Sequence, residues 1–427
     1  MPQTVGDLLA ECLQAAGAKR VFVASGAPTL SWSPLEAIAV SSNEMAQEFC
    51  DADGFLNKSI GVALFSDGRL RLSSSPGEPV VPIEIGPADI PVAIATWSLG
   101  RQTSAIEIEC GDFSVVLPEP QQALQLQQND RLVRLGAEFA DVALAIVAGF
   151  GSSEHADAVW NAAQRTGAKV FATIESVGAI ARSHPLWGGV VGLQFDDYQL
   201  LDSSDVVIAV GCDGDDVLFS ALTVIEIESA HLDFLGLDWP TPSSTKGEEI
   251  QSLAMTEVIQ ARRNDLATPL HPVRAFADCF EVIDDAIAVD DPWLKAWCAR
   301  MVSSPRQLFM PRFFSPYFSL ASAIVSALDG IRVVGICTTI DEFSEECLQF
   351  AAQQSLNATI EHWQFDDRQN QDDTQVDDSY AEVIESSAHR SQLVQALNES
   401  GLQVLSCAVR RDDEELIDIF GPPLVTS

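Results

Sequence analysis

Runs of continuous apolar residues alternate with amphipathic segments between positions 141 and 228, and this alternation is the strongest constraint on the fold. "DVALAIVAGFGSS" begins as a buried strand and ends in glycines, and "EHADAVWNAAQRTG" then has helical spacing that stops at Gly167. Further apolar runs follow in "AKVFATI", "SDVVIAVG" and "TVIEIES". Strands that are apolar throughout and separated by helices predict a doubly wound, mainly parallel sheet.

The segments on either side have a similar pattern. The N-terminal "TVGDLLAECLQAAG" predicts a helix capped by Thr4 and Asp7, and it is followed by the strand "RVFVAS". The C-terminal part contains the strands "AIAV", "IRVVGIC", "ATIEHW" and "LQVLSCAV". A chain of 427 residues is too long for one core. The sequence therefore predicts three α/β domains, at 1–122, 123–245 and 246–427.

Composition and charge exclude several classes of function. The formal net charge of −38 argues against nucleic acid and against an anionic membrane surface as partners. The chain has no apolar run of 18 residues, and "MPQTVGDLLAEC" lacks the pattern of a secretory signal. These features predict a cytoplasmic protein.

Cysteine and histidine spacing gives no sign of a metal site. The nine cysteines include no C-x-x-C pair, and the six histidines are scattered along the chain. Most of the cysteines lie in apolar runs, which is typical of buried free thiols. The sequence therefore predicts neither disulfides nor a bound metal.

The middle segment resembles the central domain of thiamine-diphosphate enzymes of the acetolactate synthase and pyruvate decarboxylase type. The resemblance rests on an ordered set of features over about eighty residues: Gly149, Gly151, the Gly178 turn, His184-Pro185, Gly189, Gly192 and "SDVVIAVG". In several relatives this domain holds FAD or an ADP-containing group. Gly149, Gly151 and Ser152 are accordingly candidate nucleotide-binding residues, with tight strand–helix packing as the alternative.

The N-terminal segment looks like the pyrimidine-binding domain of the same family. In the family, a glutamate at the head of a helix protonates the aminopyrimidine of the cofactor. Here "SNEMAQEFCDADGF" offers Glu44 ahead of Gly54-Phe55, but the fit needs one inserted residue, without which Met45 takes that position. Glu44 is the candidate catalytic residue, and a surface helix residue is the alternative. Further on, proline appears in "GPADIPVAIATW" where the family has a helix.

The C-terminal segment resembles the diphosphate-binding domain in outline only. The family has glycine-aspartate-glycine after a buried strand, and asparagines after the next helix and strand, where the aspartate and one asparagine hold magnesium. In "VVGICTTIDEF", Thr338 and Ile340 replace the glycines and Thr339 replaces the aspartate, with Asp341 nearby. The asparagine pair falls near Gln364-Phe365. Thr338, Thr339 and Asp341 thus mark a degenerate diphosphate site.

These departures imply a family member that has lost the diphosphate and magnesium motif and acts as a binding, regulatory or assembly subunit. No cofactor is predicted. The resemblance also implies a homodimer or higher oligomer, or a complex with an active paralogue. Two alternatives stay open: an active thiamine-diphosphate-dependent carbon–carbon lyase or decarboxylase with atypical cofactor ligands, and an FAD- or ADP-binding protein that uses the central domain.

Overall fold

The structure is a computed structural model of the 427-residue chain. It describes residues 3–77, 80–100, 105–109, 112–124, 142–180, 184–192, 200–212, 223–227, 229–236, 253–265, 267, 269–302, 307–311, 314–365, 383–384 and 388–411. No helix among these residues is both long enough and apolar enough to cross a membrane.

Ten α-helices and seventeen β-strands lie in the described residues. The helices are α1 (Val5–Ala15), α2 (Asn43–Leu56), α3 (Ile90–Gly100), α4 (Ala156–Thr166), α5 (Leu253–Arg262), α6 (Pro272–Val282), α7 (Pro292–Met301), α8 (Phe318–Leu328), α9 (Glu342–Gln353) and α10 (His389–Asn398). The strands are β1 (Arg20–Ala24), β2 (Glu36–Val40), β3 (Gly61–Leu64), β4 (Leu70–Ser73), β5 (Val80–Glu84), β6 (Ala105–Glu109), β7 (Leu144–Ala148), β8 (Lys169–Thr173), β9 (Trp187–Val191), β10 (Val206–Val210), β11 (Thr223–Ile227), β12 (Ala286–Val289), β13 (Leu308–Phe309), β14 (Val333–Cys337), β15 (Thr359–Phe365), β16 (Val383–Ile384) and β17 (Gln403–Val409).

The strands form three sheets. The first has the order β2-β1-β3-β4-β6-β5, the second β11-β10-β7-β8-β9 and the third β13-β12-β14-β15-β17-β16. Each neighbouring pair in the second sheet is parallel. In the first sheet β4 runs antiparallel to β3 and β6, and the other pairs are parallel. The predicted α/β class with three mainly parallel sheets is confirmed.

The first helix shows how local sequence sets an element boundary. The Thr4 hydroxyl accepts from the Asp7 amide at 3.1 Å, while the Asp7 carboxylate accepts from the Thr4 amide at 2.9 Å. This reciprocal pair satisfies amide groups that have no partner inside the helix. The apolar face of α1, which includes Leu8 and Leu9, is fully buried in the core of the first sheet.

One sequence expectation fails in the first sheet. Proline in "GPADIPVAIATW" suggested that the family's helix is missing, but α3 forms from Ile90 to Gly100. Pro91 lies in the first turn of α3, where its missing amide hydrogen removes no intrahelical hydrogen bond. A short 3₁₀ turn at Pro87–Asp89 leads into the helix. The segment therefore keeps a helix, with Pro91 as its second residue.

The described residues group into two compact units. The first unit draws on 1–130, 315–335 and 340–358, and the second on 131–314, 336–339 and 359–427. In the first unit α2 packs on α8, and the rings of Phe55 and Phe318 meet edge to face at 5.2 Å. The second unit contains the whole second sheet. The boundaries near 122 and 245 stay predictions, and residue 245 lies outside the described residues.

Candidate functional site

Helix α2 carries both residues that can be matched to the family's glutamate: Glu44, which needs one inserted residue, and Met45, which needs none. Ser42 caps the helix by accepting from the Met45 amide at 3.2 Å, and Glu44 lies in the first turn. The Glu44 side chain is exposed, whereas Met45 is fully buried. The helix thus presents Glu44 to solvent and its neighbour Met45 to the core. A role for Glu44 in proton transfer stays a prediction.

A second acidic residue, one turn further along α2, lies in a different environment. Glu48 is partly buried, and its Oε2 accepts a hydrogen bond from the Ser315 hydroxyl at 2.9 Å. Burial, together with the negative charge of Asp51, raises the pKa of Glu48 to about 7, although the Ser315 hydrogen bond acts in the opposite direction. Glu48 is therefore a carboxyl group that can gain or lose a proton near neutral pH.

Beside Glu48, a buried ion pair fixes the local charge. The Arg71 guanidinium donates to both oxygens of Asp51, at 3.0 and 2.9 Å, and both residues are fully buried. Burial raises the pKa of Asp51 even though the neighbouring Arg71 charge and its hydrogen bonds act to lower it. The two charges of the pair act on Glu48 in opposite directions: Asp51 raises its pKa, Arg71 lowers it, and the effect of Asp51 is the larger.

The start of α9 belongs to the same unit and uses the predicted site residue Asp341 as its cap. Asp341 Oδ1 accepts from the Ser344 amide at 2.9 Å and from the Ser344 hydroxyl at 3.0 Å. Its Oδ2 accepts from the Tyr317 hydroxyl at 2.7 Å. Burial acts to raise the pKa of Asp341, but these hydrogen bonds outweigh it and the pKa is lowered. Both carboxylate oxygens of Asp341 therefore already have partners.

The loop between β14 and α9 has an ordinary backbone conformation. Lys58 and Ser355 are the described non-glycine residues with positive φ, so none of the three loop residues, Thr338 to Ile340, adopts the left-handed region. Thr339 is exposed and Thr338 is half-buried. The strand order of the third sheet reverses between β12 and β14, which is where phosphate groups bind in doubly wound sheets. The loop thus lies where phosphate groups are expected to bind, but its backbone does not adopt the positive φ angles that favour glycine.

The glycines of the second sheet also lie where its strand order reverses, between β7 and β10. A Cβ on Gly149 would lie 2.4 Å from the carbonyl oxygen of Gly211, so the two strand ends pack backbone against backbone. The Gly151 amide donates to that same carbonyl at 2.9 Å. Ser152 is buried, and both its amide and its hydroxyl donate to the Gly149 carbonyl.

These contacts bear on the nucleotide-binding alternative. A phosphate at a helix N-terminus needs free backbone amides that point towards it. The amides of Gly149, Gly151 and Ser152 already donate to carbonyl oxygens of the protein. The geometry accounts for the two glycines through strand packing, and binding of FAD or an ADP group at these residues stays a prediction.

Sequence reasoning missed Glu48 and the Arg71–Asp51 pair. The available signal was the spacing of Glu44, Glu48 and Asp51, which lie three or four residues apart along one helix. That spacing does not reveal which acid is buried, because Ser315 and Arg71 come from distant parts of the chain.

The middle segment is similar to a known protein family. Residues 141–234 match the family described as the thiamine pyrophosphate enzyme, central domain. The resemblance to thiamine-diphosphate enzymes is confirmed. The matched range includes all five strands of the second sheet, from β7 to β11. No curated protein sequence matches the chain.

Solved structures extend the likeness beyond the central domain. A protein isolated from Mycobacterium smegmatis and assigned to the thiamin diphosphate-dependent enzymes has a TM-score of 0.68 and 15% identity, covering 96% of this chain and 100% of its own. The thiamine diphosphate-dependent 4-hydroxybenzoylformate decarboxylase of Rhodococcus jostii RHA1 has a TM-score of 0.66 and 14% identity, with the same coverage. At these identities the two structures show that the fold is shared.

Proposed function

We propose that this chain is a thiamine-diphosphate-enzyme homologue that has lost the diphosphate and magnesium motif and acts as a binding, regulatory or assembly subunit. The observation that carries the proposal is the segment from Thr338 to Asp341. It lies at the phosphate-binding edge of the third sheet, contains no glycine, and its one carboxylate caps α9.

Magnesium chemistry supports this reading. Mg²⁺ demands near-octahedral oxygen ligands at about 2.0–2.1 Å and is usually held through carboxylates together with phosphate oxygens. Thr339 stands where the family has that carboxylate, and a hydroxyl group supplies no negative charge. Asp341 could offer Mg²⁺ only one oxygen, Oδ2, because Oδ1 already accepts two hydrogen bonds from Ser344. The residues at this edge therefore do not fit a magnesium diphosphate.

The net charge of the chain and the packing of α2 also support the loss of the cofactor site. The formal net charge of −38 opposes the approach of a diphosphate. At the head of α2 the buried Met45 occupies the position that the family's glutamate has without an insertion. A thioether cannot donate a proton, so the proposal assigns no catalytic function to that position.

Within this proposal the chain has three domains, at 1–122, 123–245 and 246–427, and assembles as a homodimer or higher oligomer or with an active paralogue. Exposed apolar side chains in the first unit support assembly, because a partner would cover them: Val80, Val81, Val92, Val115 and Val116. A cytoplasmic location is part of the same proposal.

A thermal-shift experiment with an activity assay tests the proposal. The purified protein is heated with and without thiamine diphosphate and Mg²⁺, and decarboxylation of 2-oxo acids is followed under the same conditions. We expect no change in Tm and no turnover. A saturable rise in Tm together with product formation would establish an enzyme with atypical ligands instead.

A second candidate function rests on Glu48. A carboxyl group with a pKa of about 7 suits general acid–base catalysis at neutral pH, and Glu48 lies one turn from the predicted residue Glu44. If the chain is an active lyase or decarboxylase, Glu48 is the group that exchanges a proton. The Glu48→Gln variant would then abolish turnover while keeping the fold, and Glu44→Gln would leave turnover measurable. Loss of turnover only in Glu44→Gln would reject this assignment.

A further inference from the structure

A buried cluster in the second unit brings together three side chains that each bind metals in other proteins. Cys279 lies in α6, Glu361 in β15 and His389 at the start of α10. All three are buried, with at most 1% of each residue exposed. Their sulfur, carboxylate oxygen and ring nitrogen atoms all lie within 4.8 Å of one another. The sequence separates these residues widely, so spacing alone gave no sign of the cluster.

Two of the three distances between these ligand atoms match the edges of a metal coordination tetrahedron, and the third, between the Cys279 sulfur and a His389 ring nitrogen, is below 4.8 Å. Glu361 Oε2 lies 3.6 Å from Cys279 Sγ and 3.4 Å from His389 Nε2. With Zn–S of about 2.3 Å and Zn–N or Zn–O of about 2.0–2.1 Å, tetrahedral ligands are separated by about 3.3–3.6 Å. We propose that Cys279, Glu361 and His389 bind a zinc ion in the core of the second unit.

Groups around the three ligands are arranged as metal sites require. His389 Nδ1 lies 3.2 Å from Asp278 Oδ2, and Arg274 donates to the other oxygen of Asp278 at 2.6 Å. A carboxylate on the distal ring nitrogen fixes the imidazole so that its other nitrogen faces the metal. Asp278 therefore acts as a positioning residue for His389.

Glu361 supplies an independent observation. Its Oε2 accepts from Trp363 Nε1 at 2.7 Å, but its Oε1 is buried and has no hydrogen-bond partner among the described residues. An unsatisfied buried carboxylate oxygen is costly, and a cation satisfies it directly. This oxygen is available as a further metal ligand alongside Oε2.

Ligand chemistry selects the class of metal. A thiolate and an imidazole favour zinc and similar borderline divalent ions, whereas Mg²⁺ and Ca²⁺ prefer ligand sets made only of oxygen. A divalent ion balances the charges of the Cys279 thiolate and the Glu361 carboxylate. Since all three ligands are buried, the ion enters while the unit folds, and its role is structural.

Metal analysis of the full-length wild-type protein tests the proposal. The protein is produced with added zinc, dialysed against a weak chelator, and analysed by elemental mass spectrometry and zinc X-ray absorption. We expect one zinc per chain, with one sulfur at about 2.3 Å and the remaining ligands nitrogen or oxygen at about 2.0–2.1 Å. Cobalt incorporated during expression should give a thiolate-to-metal absorption band.

Two variants assign the ligands. Cys279→Ser should remove the sulfur shell, and His389→Gln should lower zinc affinity by at least about tenfold. Cys212→Ser is the matched control: it makes the same change in the same unit, at a half-buried thiol 3.5 Å from the Val147 carbonyl, and should keep its zinc. Wild-type protein that holds well under one zinc per chain, or zinc without sulfur, would overturn the proposal and leave a metal-free acid–histidine network.

Discussion

Glu48 gives the sharpest prediction, because its raised pKa links folding stability to pH. The pKa of a glutamate is ordinarily 4.5, and burial with the Asp51 charge raises that of Glu48 to about 7. The folded state therefore binds this proton more tightly than the unfolded state does. The contribution of Glu48 to stability is fully present below about pH 4.5 and is lost as the pH rises through about 7.

The size of the stability loss follows from the rise in the pKa of Glu48 from 4.5 to about 7. One pKa unit corresponds to about 1.36 kcal/mol, so the full change sets an upper limit of about 3.4 kcal/mol. Because the Glu48 side chain is only partly buried, solvent screening reduces the expected loss to about 2 kcal/mol. The Glu48→Gln variant carries no ionisable group at this position and can still accept from the Ser315 hydroxyl.

Urea unfolding of both proteins, followed by tryptophan fluorescence between pH 5 and pH 8, measures this effect. We expect the variant to be about 0.5 kcal/mol more stable than the wild type at pH 5 and about 2 kcal/mol more stable at pH 8. The Ser315→Ala variant should lose more stability than the wild type between pH 5 and pH 8, because it removes a hydrogen bond that lowers the pKa of Glu48. A stability difference between wild type and Glu48→Gln that does not vary with pH would refute the reasoning.

Three further predictions concern packing and assembly. Asp51→Asn leaves the buried Arg71 charge with only the more distant Glu107, at 3.9 Å, and should cost about 3 kcal/mol in urea unfolding. The double variant with Arg71→Met should recover most of this loss. Equal losses in the single and double variants would show that the pair is not coupled. Gly149→Ala forces a methyl group to 2.4 Å from the Gly211 carbonyl oxygen and should lower the free energy of unfolding by about 1–3 kcal/mol, measured as a lower Tm. Gly86→Ala is the control, because its methyl group has room and should leave Tm nearly unchanged. Light scattering at micromolar concentration should give a dimer or larger species, and a strict monomer would count against assembly.

Local signals predicted much of the fold. The capping box of α1 and the end of α4 at Gly167, whose φ is 73°, follow from hydrogen bonding and backbone sterics within a few residues. Continuous apolar runs predicted the parallel second sheet. Helix α3 was missed because Pro91 was taken to break a helix, although a first-turn proline is compatible with one. The antiparallel strand β4 was missed because strand direction depends on long-range pairing.

The candidate site was less predictable. Sequence similarity led to Glu44, but Glu48 is the more buried of the two, and its hydrogen-bond partner Ser315 lies 267 positions away in the chain. The zinc ligands proposed above are likewise brought together by α6, β15 and α10 from separate parts of the sequence. The absence of glycine between Thr338 and Asp341 could be read from the sequence, but the hydrogen bonds that engage Asp341 could not.

Calorimetric titration of the wild-type protein with thiamine diphosphate in the presence of Mg²⁺ tests the central claim most directly. We expect no heat of binding beyond dilution, and none for the Thr339→Asp variant, because Ile340 and the missing asparagines still depart from the family motif. The same titration of an active thiamine-diphosphate enzyme provides the positive control. A saturable binding curve for the wild type, with a Kd in the micromolar range, would contradict the loss of the diphosphate site.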